Sequence, residues 1–268
     1  MAKPIRIFFA LLKDYLYMAT ISELQSLLKC LDLTSLEGND NEKSILTLVD
    51  KANWGCFDNF VAAVCVYPNF GELVRNKLNK SIKTAVVGGY FPSGQTTLQT
   101  KITELKTINE TDVEEVDIVI NRGALLACNY NVVYDEIAAM RNCIPKKTLK
   151  VILETGDISD PELIKKASEI AISAGADFIK TSTGKSHQGA TLEAVEVMCA
   201  VIKNHFEKTG IKIGIKPSGG IREINEAVAY LNLVKSILGE VWIQPSLFRI
   251  GASTLYTNIV NQLKKLDA

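Results

Sequence analysis

The sequence has no excess of either charge: 30 Lys+Arg stand against 30 Asp+Glu in 268 residues, and the formal net charge is zero. A chain without a net positive field has no general electrostatic hold on a polyanion, so neither nucleic acid nor an anionic membrane surface is expected as a partner. CxxC pairs are absent too. The six cysteines (Cys30, Cys56, Cys65, Cys128, Cys143, Cys199) stand far apart and mostly in apolar surroundings, which reads as buried free thiols in a reducing compartment rather than a disulfide framework. Long apolar runs are missing as well. The nearest to a leader is six apolar residues at 7–12, closed by Lys13 and Asp14, against about 7–15 for a secretory core and about 20 for a membrane span. A cytoplasmic location is therefore expected, and Phe8, Leu11, Leu12, Tyr15 and Leu16 read as one face of an extra amphipathic helix. Histidine is scarce. Neither His187 nor His205 stands near another ligand at metal spacing, so no metal site and no cofactor is expected.

What is present is an ordinary globular composition, 47% hydrophobic and 22% charged, which excludes disorder and fibrous repeats. Eight short, β-branched runs without alternation recur, as expected of parallel strands covered on both faces. They centre near Leu31 (LKCLDLT), Val64 (VAAVCVYP), Val86 (KTAVVGG), Ile118 (VDIVIN), Ile152 (LKVILET), Ile179 (ADFIKTST), Ile215 (IGIKPSG) and Phe248 (LFRIGAS). The spacing of roughly 22 to 36 residues fits one strand plus one return helix. Helix starts are marked by the capping box Thr20-Ile21-Ser22-Glu23 and by Asp160-Pro161. With no linker between units, the pattern predicts an α/β fold, a single-domain (β/α)8 barrel over 1–268, with an N-terminal helical extension over about 1–28. An open doubly wound sheet is the alternative, but it wants GxGxxG after the first strand, where Leu33-Thr34-Ser35-Leu36 has no glycine.

Barrel chemistry is built at the C-terminal ends of the strands. Three charged residues sit in or end such runs: Asp117 in strand four, Lys180 in strand six and Lys216 in strand seven. A single strand lysine is accounted for by a buried ion pair. Two on neighbouring strands, about 4.8 Å apart in the sheet, exceed what one carboxylate neutralises. A lysine beside another cation in a dry site tends to lose its proton and become an amine nucleophile. Bringing a lysine from about 10.4 to about 7 requires about 4.6 kcal/mol. A like charge at about 5 Å and an effective dielectric of about 20 supplies about 3.3 kcal/mol, and desolvation can supply the rest. Spacing alone does not say which lysine attacks.

A second constellation points to phosphate. Ser218-Gly219-Gly220-Ile221-Arg222 follows strand seven and Gly251-Ala252-Ser253-Thr254 follows strand eight, each leading into a helical segment. Glycine-rich strand-to-helix turns present backbone amides to an anion, in the place where barrels often hold one. Thr183-Gly184-Lys185-Ser186 looks like the end of a Walker A motif but has Ile179 where its first glycine belongs, so Lys185 reads as a loop cation near the same phosphate. Cys65 reads as a small core hydrophobe at a strand end.

On these motifs the chain resembles the deoxyribose-phosphate aldolase family of class I (Schiff-base) aldolases. The matches are Leu31-Asp32-Leu33-Thr34, Val64-Cys65-Val66-Tyr67-Pro68, Phe91-Pro92-Ser93-Gly94, Val116-Asp117-Ile118-Val119-Ile120, the FIKTSTGK run from Phe178 to Lys185, Gly214 to Arg222 with KPSGG, and Phe248 to Ser253. The resemblance implies that Lys180 forms the Schiff base, Lys216 depresses its pKa and Asp117 shuttles protons. It also implies that Thr183, Gly184, Lys185, Gly219, Gly220, Arg222, Gly251 and Ser253 surround a phosphate, while Asp32, Thr34 and Cys65 line the substrate pocket. The implied reaction is reversible cleavage of 2-deoxy-D-ribose 5-phosphate to D-glyceraldehyde 3-phosphate and acetaldehyde, in deoxyribose phosphate catabolism. The implied partner is a small phosphorylated sugar, with assembly into a homo-oligomer left open. Two departures stand out. Tyr90 precedes Phe91-Pro92 where many relatives have a smaller residue, which is expected to reshape the pocket near strand three. The sequence stops at Leu266-Asp267-Ala268 without the terminal tyrosine some members carry, which puts tail-assisted proton transfer in question. Two rival readings share the residues: a transaldolase-like Schiff-base enzyme, which would take a ketose phosphate, and a non-catalytic scaffold, which would be expected to have lost Lys180, Lys216 or Asp117.

Overall fold

The computed structural model describes residues 19–267; the amphipathic face expected of Phe8 to Leu16 lies outside them. Helix α1 (Ile21–Lys29) opens with the expected capping box: the Thr20 hydroxyl accepts from the N–H of Glu23, and the Glu23 carboxylate accepts from the N–H of Thr20. Such a cap contributes about 1 kcal/mol. Strands and helices then alternate: β1 (Leu31–Thr34), α2 (Glu42–Trp54), β2 (Ala63–Val66), α3 (Gly71–Lys77), β3 (Lys83–Gly88), α4 (Leu98–Asn109) and β4 (Glu115–Val119). After β4 come two helices, α5 (Arg122–Leu126) and α6 (Tyr130–Cys143), broken at Cys128, whose φ is 59°. The chain continues through β5 (Thr148–Ile152), α7 (Pro161–Ser173), β6 (Phe178–Lys180), α8 (Leu192–Thr209), β7 (Gly214–Lys216), α9 (Ile224–Leu238), β8 (Ile250–Ala252) and α10 (Thr254–Asp267). Helix α7 starts as the sequence predicts, with the Asp160 carboxylate accepting from the N–H of Glu162 and Pro161 in the first turn.

All ladders are parallel, and the sheet order is β7-β6-β5-β4-β3-β2-β1-β8. Its two ends meet through the bridges Ile215 with Phe248 and Ser218 with Gly251, so the eight strands close into the (β/α)8 barrel. The last strand therefore differs from its sequence pattern in extent. Phe248 contributes only a bridge to Ile215, because the ladder to β1 begins at Ile250 opposite Leu31.

Outward residues such as Leu33, Val64, Val116, Val151, Ile179 and Ile215 join Leu24, Ile45, Leu105, Ile137, Met198 and Ile259 of the helices in one apolar layer. Burial of each such side chain contributes about 1.5–3 kcal/mol. Inside the barrel, Leu36, Ala63, Cys65, Ala85 and Val87 form a separate small cluster with Tyr67 and Phe91. The expectation of buried thiols holds for Cys30, Cys56, Cys65 and Cys199 and is corrected for two. All six cysteines are free, but Cys143 is half-buried and Cys128 is exposed at the α5–α6 break, where the left-handed turn lifts it off the core.

Candidate active site

Because successive strand residues face opposite sides, β4 sends Glu115 and Asp117 into the barrel while Val116 and Ile118 face the helices. By the same alternation β1 contributes Asp32, β5 Lys150, β6 Lys180, β7 Lys216, and the residue before β8 contributes Arg249. All seven are buried. The parallel register sets Asp117 beside Lys150 and Lys180 beside Lys216.

Asp117 is the hub. Its Oδ2 accepts from Lys180 Nζ and from Lys216 Nζ, each at 2.7 Å, and its Oδ1 accepts from Lys150 Nζ at 2.9 Å. Lys216 also lies 2.5 Å from Asp32 Oδ2, and Lys150 lies 2.6 Å from Glu115 Oε2. Arg249 closes the network, with Nη1 2.5 Å from Asp32 and Nη2 2.7 Å from Glu115. The two lysines foreseen as neighbours thus share a single carboxylate oxygen.

The network holds four cations and three carboxylates, one positive charge too many for a region removed from water. The excess falls on Lys180. Burial, and then the ammonium of Lys216, push the Lys180 amine below the ordinary lysine value against the pull of Asp117. Burial alone would lower Lys216 too, but Asp117 and Asp32 outweigh it and hold its ammonium above that value. Lys150 is likewise held charged by Asp117 and Glu115 in spite of its burial. Burial opposes ionisation of Asp117, yet its three lysines keep the carboxyl well below the usual range. Of the two lysines that spacing leaves open, Lys180 is therefore the one whose ammonium the network destabilises.

Above this floor opens a cleft of about 200 Å³ at the C-terminal ends of the strands. Of the buried cations named above, Lys180 is the one that lines it. The loop after β6 contributes Thr183, Gly184 and Lys185, the loop after β7 contributes Gly219, Gly220 and Arg222, strand β8 contributes Gly251, and the turn into α10 contributes Ser253. Thr34 and Glu37 complete the wall beside β1. The phosphate-site residues expected from the motifs are thus brought together around one cleft, with the N-terminus of the 14-residue helix α10 directly behind Ser253. The β6 and β7 loops are stitched to each other: the Thr181 hydroxyl accepts from the Ser218 N–H at 2.9 Å, and the Ser218 hydroxyl donates to the Ser182 carbonyl at 2.6 Å. Gly219, at φ 89°, adopts a backbone that favours glycine, and a Cβ there would approach the Gly189 Cα to 3.0 Å. At Gly251 a Cβ would meet Ser218 Cβ at 2.8 Å and Lys216 Cε at 3.1 Å, so the missing side chain leaves room for Lys216 to cross the barrel.

Two residues expected at the pocket lie one layer below its lining. Asp32 and Cys65 are fully buried beneath the cleft and are not part of its lining. Asp32 is drawn down by Lys216 and Arg249, whereas Cys65 packs with Ala63, Ala85 and Val87, and burial raises its thiol to about 11. Lys185 is at the wall but already paired, 3.1 Å from Glu37. Tyr90 adopts φ 62° with its N–H donating to Glu104 at 2.9 Å, and it stands half exposed, away from the cleft lining. Lys150, Glu115 and Arg249 join the network without a signal of their own in the sequence: Lys150 and Glu115 stand at the start of their runs, and Arg249 lies between Phe248 and Ile250. A larger hollow of about 770 Å³ lies at the opposite end of the barrel, between residues such as Lys29, Lys83, Thr148 and Lys212, and Lys180 does not reach it. Among the described residues no group of three or more metal-ligating side chains is gathered, and no helix is long and apolar enough to cross a membrane.

The sequence model of the DeoC/LacD family aldolases matches residues 27–236. The deoxyribose-phosphate aldolase of Homo sapiens is 41% identical over 248 residues, covering 87% of this chain and 78% of the human protein. A putative deoxyribose-phosphate aldolase of Caenorhabditis elegans is 41% identical over 249 residues, covering 90% and 82%. Among solved structures, QR15, an aldolase, superposes with a TM-score of 0.75 at 32% identity over 90% of this chain and 97% of its own.

Proposed function

From the premise that the chain belongs to the DeoC/LacD aldolase family, a family of lyases, we propose that it reversibly cleaves 2-deoxy-D-ribose 5-phosphate to D-glyceraldehyde 3-phosphate and acetaldehyde through a Schiff base on Lys180. The observation that carries this reading is that the one buried cation lining the cleft is also the one pushed toward its neutral form. An unprotonated amine at an open cleft is what attack on a carbonyl requires.

In this mechanism the phosphate sits against the β6, β7 and β8 loops and aims the open-chain aldehyde at Lys180. The amine adds to C1, and loss of water leaves a protonated imine. The C3 hydroxyl gives up its proton through a water held by Asp117, which lies beneath the cleft against both Lys180 and Lys216. The C2–C3 bond then breaks, glyceraldehyde 3-phosphate leaves, and the bonding pair enters an enamine on the lysine. Protonation of the enamine at C2 and hydrolysis by one water release acetaldehyde and restore the amine. Lys216, held charged, serves as the cation that keeps Lys180 neutral between turnovers. A role in deoxyribose phosphate catabolism belongs to the same proposal.

The test is cleavage of deoxyribose 5-phosphate with coupled detection of glyceraldehyde 3-phosphate, followed by borohydride trapping. Reduction in the presence of substrate is expected to inactivate the protein and leave an adduct on Lys180. An adduct on Lys216 would reverse the roles. Turnover of a ketose phosphate without formation of acetaldehyde would favour the transaldolase-like reading.

A further inference from the structure

Glu154 follows β5 by two residues, is fully buried, and holds φ at 59°, a left-handed backbone that glutamate seldom adopts. None of its contacts is with Lys180, Lys216 or Asp117. Its Oε1 accepts from the N–H of Thr183 at 3.1 Å and from the hydroxyl of Ser186 at 3.0 Å, and its Oε2 accepts from the hydroxyl of Thr183 at 2.5 Å. The Thr183 hydroxyl in turn accepts from the N–H of Lys185 at 3.1 Å. The nearest cation is Arg122, whose Nη1 is 3.8 Å from Oε2 and is bonded to Asp157. All three donors to Glu154 belong to residues 183–186, in a stretch without helix or strand, and Thr183, Gly184 and Lys185 of that stretch wall the cleft.

A loop with no ladder of its own needs another source of order if Gly184 and the Lys185 side chain are to face an anion in one arrangement, since the N–H groups of Thr183 and Lys185 are turned inward. Here a buried carboxylate supplies it, and the left-handed backbone turns that carboxylate onto the loop. Strain of this kind persists where surrounding structure fixes it, and it concentrates at ligand clamps. We infer that Glu154 is the positioning residue of the phosphate wall: it holds residues 183–186 in the arrangement that receives a phosphate monoester dianion, and so sets the preference for a phosphorylated over an unphosphorylated aldehyde. The identity of the sugar rests on the function proposed above, whereas the hold on a phosphate does not.

Three variants separate charge, reach and backbone. In Glu154→Ala the loop loses all three acceptor contacts. Glu154→Gln retains reach, since its amide oxygen can accept from Thr183 N–H and Ser186 while its NH2 donates to the Thr183 hydroxyl. Glu154→Asn suits the left-handed backbone but is one methylene short. Hydrogen bonds to a charged group are strong enough that Glu154→Ala is expected to raise KM for deoxyribose 5-phosphate by about 10- to 100-fold, with kcat changed less than about threefold. Glu154→Asn should follow Ala and Glu154→Gln should recover most of the loss, while kcat/KM for unphosphorylated deoxyribose stays within about twofold of the parent in all three. Calorimetry with inorganic phosphate should show a Kd at least about tenfold weaker in the Ala and Asn variants. If Ala fails to fold, the Gln and Asn pair still carries the comparison. Equal losses on both sugars, or an unchanged phosphate Kd, would overturn the assignment. A parent that binds phosphate but does not cleave deoxyribose 5-phosphate would instead refute the aldolase reading and leave the positioning role to stand on the calorimetry.

Discussion

The two faces of the same strands are built to opposite rules. Facing the helices, Leu33, Val64, Val116, Val151, Ile179 and Ile215 form a continuous apolar layer. Facing the barrel axis, one step along each strand, the residues divide. Small apolar side chains from β2 and β3 occupy one side, and Asp32, Glu115, Asp117, Lys150, Lys180, Lys216 and Arg249 gather as a network of ion pairs. Both faces are buried, so the outer layer gains from water exclusion whereas the inner network, open only at its two ends, is penalised by it unless every charge is matched. Apolar packing and charge are thus assigned to alternate residues of the same segments, and the proposed chemistry enters at the mismatch of one charge.

The sharpest break of this comparison uses two adjacent residues. Ile179→Ala should cost about 2–5 kcal/mol of stability through a cavity in the outer layer, with activity per folded molecule nearly retained. Lys180→Leu should do the reverse: turnover and the borohydride adduct vanish, while the melting temperature holds or rises because an apolar side chain replaces a buried amine. Melting curves and mass spectra of trapped protein give both halves. A Lys180→Leu protein that still formed an adduct would remove that residue from the centre of the reaction.

Next in size is the rim above the network. Ser253→Asp places a negative charge at the start of α10, against an incoming dianion. It should lower kcat/KM for deoxyribose 5-phosphate by about 10²-fold or more while leaving the slow reaction of free deoxyribose little changed, because remote binding energy is what aligns the aldehyde. Equal losses on the two sugars would make the β8 loop structural.

Lys216→Leu probes the charge mismatch. With that cation gone, Asp117 acts on Lys180 with one competitor fewer, and the repulsion that helps keep the Lys180 amine neutral disappears. Its pKa should climb toward the ordinary value of about 10.4, so less neutral amine is present near pH 7 and the alkaline rise of the rate moves to higher pH. Superimposable pH–rate profiles for variant and parent would refute the electrostatic role.

How much of this was legible in the sequence follows from the same division. The outer layer repeats eight times as apolar runs, so the strand count and barrel closure could be read directly, and Thr20 and Asp160 announce their helices by side-chain chemistry alone. Asp117, Lys180 and Lys216 stood out as charges in or at the ends of such runs. Lys150 and Glu115 lie at the start of their runs, where a charge reads as solvated, and Arg249 is one charge in a strand whose ladder begins only after it; the register brings the first two into the barrel. The depth of Asp32 is not legible because type and motif do not report it; its pairing with Arg249 spans 217 positions of sequence. Glu154 carried no signal at all. Its role depends on a positive φ, which nothing about a glutamate foretells.

The smallest expected effect lies at the mouth, where the charges are least dry. Glu37 lines the cleft and holds Lys185 at 3.1 Å, but its side chain is 67% exposed. A phosphate dianion entering there meets a carboxylate of its own sign and must share Lys185 with it. Glu37→Gln removes both obstacles, so KM for deoxyribose 5-phosphate should fall, with kcat and the reaction of free deoxyribose unchanged. Exposed ion pairs are worth about 0.2–1 kcal/mol, which limits the gain to about fivefold. Screening supplies the control: at 1 M salt the Debye length shrinks to about 3 Å and the difference from the parent should shrink with it, whereas the effect of Lys216→Leu, set inside the barrel, should persist. A rise in KM for Glu37→Gln would mean that Glu37 holds Lys185 in place for the phosphate rather than competing with it, and the rim would then follow the rule of the network below, in which each cation depends on its carboxylate.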